Sequence, residues 1–140
     1  MSDPSGAPAG VPVLGGVSHH PSRRSVVETV QQLVAEIEDA GAKLFMVIDQ
    51  AAEAKKVGLG LRQTHLILFG NPVAGTPVMQ AAPLTALDLP LKILVWADDD
   101  GQVWMSHVDA DWLVARYGLS QALAKPLGAA GVLASKASSD

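Results

Sequence analysis

Three strand-length apolar runs, Lys43 to Ile48, His65 to Phe69 and Lys92 to Trp96, punctuate this chain, and none alternates apolar with polar residues. A run of that kind reads as a strand shielded on both faces, so helices or another subunit must cover the sheet they form. The covering material is visible between and around them. Ser25-Val26-Val27-Glu28 has the spacing of a capping box, in which a hydroxyl and a carboxylate satisfy the first backbone donors of a helix. Val26, Val30, Leu33, Val34 and Ile37 then recur at helical spacing up to Gly41, which supplies the stop.

Asp49 is placed to cap a short helix from Gln50 to Val57. Thr76 and Pro77 read as the cap and first residue of another, running to about Pro83. Asp98-Asp99-Asp100-Gly101 predicts a solvated hairpin tip leading into a strand from Val103 to Val108. Asp109 to Tyr117, closed by Gly118, is amphipathic, and Ser120 to Ser135 is Ala/Leu-rich with Pro126 inside it. A weaker first strand falls in Gly16 to Ser22. This order predicts an α+β fold with a mixed sheet of about four to five strands and packed helices. At 140 residues the chain fits one core, expected over residues 17–135. A disordered Pro/Gly/Ala-rich tail is expected over 1–16 and a frayed one over 136–140.

The hydrophobic fraction is 49% and the charged fraction 17%, so a core is easily filled while the surface is thin in charge. A net charge of −4 argues against a phosphate backbone as main partner, so no nucleic acid is expected. The longest apolar runs fall far short of the roughly twenty residues a bilayer requires, and Met1 to Gly16 lacks a basic region like that of a signal peptide. No membrane partner is expected, and the cytoplasm is the default location. The absence of cysteine removes thiol chemistry, disulfides and Cys-type zinc sites.

The run from Ile48-Asp49 through Leu66-Ile67-Leu68-Phe69-Gly70-Asn71-Pro72, Gly75-Thr76-Pro77-Val78-Met79 and Ala86-Leu87-Asp88-Leu89-Pro90-Leu91-Lys92 resembles the prokaryotic domain-of-unknown-function family 302. The resemblance covers roughly residues 29–127, and order, spacing and joint presence of these elements carry it. It implies a two-layer α+β sandwich that pairs as a homodimer, with no established activity and no catalytic residue to transfer. Members commonly carry a histidine after the aspartate that ends the second strand, where this chain has Gln50. That departure weakens any acid-base or metal role centred on Asp49.

The stretch from Gly70 to Pro77 leaves a strand through Gly, Asn and Pro. Backbone N–H groups at a helix start, approached through glycines, can hold a carboxylate or phosphate. Equally, those residues satisfy ordinary turn geometry, and no Walker or dinucleotide fingerprint is present. Gly70, Asn71, Gly75, Thr76, Asp88 and Lys92 are therefore the candidate ligand-binding residues, Arg62 and Lys92 being the nearest basic residues in sequence to the Gly70 stretch. Asp88, set between Leu87 and Leu89, must be hydrogen-bonded, paired or protonated, and Lys92 is a candidate partner. His19, His20, His65 and His107 form no recognised metal-binding spacing, so neither metal nor cofactor is assigned.

Three functions fit these readings. The first is a homodimeric binding module for a small anionic metabolite at the Gly70 to Pro77 stretch. The second is a structural or regulatory interaction module without a ligand. The third is an enzyme using Asp88 or Asp49 as acid-base, with His65 nearby.

Overall fold

A computed structural model describes residues 6–140. It contains β1 (Val17–Ser22), α1 (Val26–Asp39), β2 (Lys43–Asp49), α2 (Gln50–Lys56), β3 (Thr64–Gly70), α3 (Pro72–Ala81), β4 (Leu91–Ala97), β5 (Val103–Val108), α4 (Ala110–Tyr117), α5 (Gln121–Ala124) and α6 (Ala129–Ser139). Two 3-10 turns, Pro83–Leu87 and Lys125–Gly128, join helices to neighbouring elements.

The strands form one sheet in the order β1-β5-β4-β3-β2. Every pair is antiparallel, so the α+β class holds while the expected mixed sheet does not. Unalternating apolar runs suggest parallel strands because parallel sheets are usually covered on both faces. Here the two faces are instead covered to different degrees. Ile67 opposes Ile93, and Val95 opposes Met105, placing these four on one face. That face meets Val26, Leu33 and Ile37 of α1 and Ala130, Leu133, Ala134 and Ala137 of α6 in a single buried core. Cross-strand neighbours share a face because side chains alternate along each strand. Leu66, Leu68 and Leu94 lie on the opposite face and are only half-buried.

Local sequence explains the elements. Ser25 Oγ accepts from Glu28 N at 3.1 Å while Ser25 N donates to Glu28 Oε1 at 3.2 Å, the reciprocal box expected at the start of α1. These bonds hold the Glu28 carboxyl below its usual range. The tip of the β4–β5 turn, Asp99 to Gly101, is exposed as expected, but Asp98 before it is only 5% exposed. Its Oδ1 accepts from Asp100 N and Gln102 N, and its Oδ2 from Ala9 N and from Trp104 Nε1. Burial pushes this carboxyl up, but four donors outweigh it and hold the group below the ordinary value.

The segments expected as tails, 1–16 and 136–140, make contacts with the rest of the chain where they are described. Residues 1–5 lie outside the described residues. Beyond them, Pro8 is buried, Ala9 N donates to Asp98 Oδ2 while Ala9 O accepts from Asp99 N, and Gly16 O accepts from Asp109 N. At the other end α6 continues through Ser139, because Ala137 is packed in the core and Ser138 Oγ donates to Pro21 O.

Candidate functional site

Asn71 follows the last residue of β3 and caps α3: its Oδ1 accepts from Val73 N at 3.0 Å, and Pro72 is the first helical residue. The helix therefore begins five residues earlier than the Thr76 cap predicted from sequence. Thr76 and Pro77 lie inside it. Two Pro-led starts compete here, and the one adjoining the strand wins because Asn71 can satisfy donors as soon as β3 ends. Asn71 O also accepts from Ala74 N and Gly75 N. The first-turn donors are thus engaged within the chain, and Pro72 has none to offer an anion.

The same segment walls a cleft of about 280 Å³. Gly70, Asn71, Pro72, Ala74, Gly75 and Met79 form one side. Phe45 and Phe69 come from the sheet, Ala86, Leu89, Pro90 and Leu91 from the approach to β4, and Pro126, Leu127 and Ala129 from the last helical region. The lining is almost wholly carbon. Gly70 brings β3 close to the Phe45 ring, since a Cβ there would lie 3.6 Å from Phe45 Cε2. Lys43, paired with Gly70 across the strands, holds its Nζ 5.3 Å from the centre of the ring of Phe45, which lines the cleft.

Of the residues singled out from sequence, Gly70, Asn71 and Gly75 line this cleft, whereas Thr76 is exposed on α3. Asp88 and Lys92 line a second cleft of about 240 Å³, with Leu66, Leu94, Ser106, His107 and Leu113. They do not pair. Lys92 Nζ donates to Pro90 O at 3.2 Å, while Asp88 Oδ2 accepts from Tyr117 Oη and lies 3.5 Å from Arg116 Nε. The Arg116 guanidinium also sits over the Trp112 ring, 5.3 Å from its centre. Arg62 is engaged by Asp99 rather than by the Gly70 region.

The fold assembles histidines that sequence spacing kept apart. His65 Nε2 meets Asp49 Oδ2 at 3.3 Å, while the buried His65 Nδ1 has no hydrogen-bond partner. Asp49 at the same time caps α2 by accepting from Ala52 N. On β1, His19 Nδ1 lies 2.7 Å from Ser106 Oγ, which also accepts from Trp96 Nε1. Burial, and then the nearby His107, push His19 below the ordinary imidazole value. His20 Nε2 lies 3.1 Å from His107 Nε2. These pairs join β1 to β5, and only their alternate placement on two antiparallel strands could have announced them. Among the described residues no three His, Asp or Glu side chains converge as a metal site. Nor is any helix long and apolar enough to cross a membrane.

Comparison with known proteins agrees with this architecture. The family model described as "Domain of unknown function DUF302" matches residues 18–131, and the chain belongs to that family. The match begins at β1, earlier than the resemblance read from motifs. A crystal structure of an uncharacterized conserved DUF302 protein from Bacillus stearothermophilus superposes with a TM-score of 0.75 at 15% identity. The superposition covers 90% of this chain and 98% of that one, and shows a shared fold. Curated relatives include "Fluoride-specific ion channel FluC 1" of Brucella suis biovar 1 (strain 1330), 44% identical over 98 residues. The proteins of that name in Brucella abortus biovar 1 (strain 9-941) and, as FluC 2, in Brucella melitensis biotype 1 match equally. The aligned segment is 70% of this chain but only 39% of the first relative and 36% of the other two.

Proposed function

We propose that this member of the DUF302 family is a binding module holding a small, largely apolar ligand in the cleft beside Gly70, Asn71 and Gly75. The observation that carries this reading is the lining: an open cleft of about 280 Å³ walled by carbon from β2, β3, α3 and the approach to α6. Such surface gains by excluding water, by about 25 cal/mol per Å² of apolar area covered. The anionic metabolite expected from sequence becomes, in this reading, an amphiphile. Its charged end would lie toward Lys43, because the α3 donors are already engaged. Thr76, Asp88 and Lys92 have no part in this cleft.

The module is proposed to work as a homodimer in the cytoplasm. Support for pairing comes from β2, an edge strand whose Phe45 and Met46 are 47% and 55% exposed. Native mass spectrometry of protein purified gently from its own host tests both parts. A dimer carrying an extra organic mass, lost in Ala74→Phe, is the expected result. A clean monomer at the sequence mass, with no organic molecule in a solvent extract, refutes both.

A second reading, the regulatory interaction module, is favoured by the curated relatives, whose printed names are those of fluoride-specific ion channels. Here the domain would serve a channel rather than hold a metabolite. Fluoride efflux from cells carrying a host channel, with and without this chain, separates the readings: an unchanged rate rejects this one. The acid-base reading has least support, since Asp88 is engaged by Tyr117 and Arg116 and Asp49 by α2 and His65.

A further inference from the structure

The rings of His20 and His107 are tilted by only 16°, and their centres are 5.2 Å apart while the two Nε2 atoms are 3.1 Å apart. Most of the centre-to-centre distance therefore lies along the line joining the two nitrogens. The rings meet edge to edge, nearly coplanar and head-on, not face to face. His107 Nδ1 lies 3.1 Å from Val108 O, an acceptor only, so in the neutral ring Nδ1 carries the proton and Nε2 is a bare lone pair. His20 must then supply the one Nε2–H of the pair.

A proton on the axis between two imidazoles holds a position that a two-coordinate cation can also take. We propose that His20 Nε2 and His107 Nε2 form a site for monovalent copper, bound linearly between the two nitrogens; the Nε2 proton of His20 leaves to solvent and its Nδ1 takes one up, so both rings bind as neutral imidazoles. Three observations carry this. The donors are imidazoles, which suit copper, and they are collinear, as a two-coordinate ion requires. The far nitrogen of His107 is fixed by a backbone carbonyl, with Asp109 Oδ1 4.0 Å away, the outer support that orients a metal-binding ring. Gly131 of α6 lies close against the His107 ring, since a Cβ there would lie 3.3 Å from His107 Cε1 and 3.5 Å from Nε2, so a larger residue would crowd that nitrogen.

With bonds like those of zinc to imidazole, near 2.0 Å, the two nitrogens must part to roughly 4 Å. His20 can move, because it sits half-buried on β1, an edge strand of the sheet. With two protein donors and no third, zinc, which favours four ligands, is disfavoured here.

The test uses the full chain, stripped with a chelator and titrated with silver(I) as a redox-inert stand-in, then with copper(I) under anaerobic conditions against a competing chelator. Nitrogen NMR of the imidazoles is the readout. One equivalent is expected to move both His20 Nε2 and His107 Nε2 and to leave His65 unchanged. His20→Gln is expected to weaken binding by tenfold or more, while His65→Gln retains it. No shift at either Nε2 on addition of one equivalent overturns the proposal in the unmodified protein, whether or not the variants fold. Equal binding by a folded His20→Gln overturns it too.

Discussion

Trp104 Nε1 donates to Asp98 Oδ2 at 2.8 Å, tying the middle of the β4–β5 hairpin to its own turn. The same oxygen accepts from Ala9 N, so one carboxylate joins the hairpin, its tip and the segment before β1.

Replacement Asp98→Asn removes the charge that four donors converge on and places an amide N–H₂ among them. The expected loss is about 2–3 kcal/mol in urea unfolding at pH 7. Because the folded carboxyl titrates below its ordinary value of 3.8, its stabilisation is complete above that pH and is lost as the pH falls toward the depressed value. Unfolding curves between pH 7 and 2.5 should therefore decline less steeply below pH 4 in Asp98→Asn than in the native chain. Parallel declines would show that Asp98 is not responsible.

Gly16 has φ +79°, and a Cβ there would lie 2.4 Å from Trp112 Cδ1. Gly16→Ala should therefore cost about 1–3 kcal/mol and shift the Trp112 indole resonance, as the segment before β1 lifts from α4. An unmoved Trp112 signal with native stability would contradict this packing.

Asn71→Ala and Ala74→Phe separate capping from ligand binding. The first removes the α3 cap and should cost about 1 kcal/mol. The second fills the apolar cleft from a half-buried position and should leave stability within about 1 kcal/mol while abolishing retention of an organic ligand. The paired readout is urea midpoint against ligand mass in native spectra.

Tyr117→Phe removes the hydroxyl that Asp88 accepts from but leaves Arg116 beside the carboxylate. A loss of about 1 kcal/mol is expected, with ligand retention in the first cleft unchanged, because Asp88 lines the second. Loss of the ligand in this variant would show that the two clefts are coupled.

Local signals were legible wherever neighbours in sequence satisfy one another. The Ser25–Glu28 box, the Asp49 cap and the Gly118 stop act over a few residues and appear where the pattern predicts them. The α3 start was misread because Pro72 and Pro77 both suit a first helical position, and only the end of β3 selects Asn71 as the cap. Likewise, Asp98-Asp99-Asp100 reads as a wet tip. Asp98 alone of the three is buried, and its burial depends on Trp104 across the hairpin and on Ala9, 89 residues earlier.

By itself the sequence determined the α+β class, the principal helices and the five strands, the first of them only weakly, because hydrophobic periodicity, turn residues and capping are short-range properties of the chain. It also marked Gly70, Asn71 and Gly75 as a place where backbone and ligand could approach. Tertiary structure alone decided the wholly antiparallel order β1-β5-β4-β3-β2, the carbon lining that turns that place into an apolar cleft, and the division of Asp88 and Lys92 into another. It also decided the meeting of His20 with His107, 87 residues apart. Strand register and helix docking set these contacts, and both are selected by burial summed over the whole sheet rather than by any one segment.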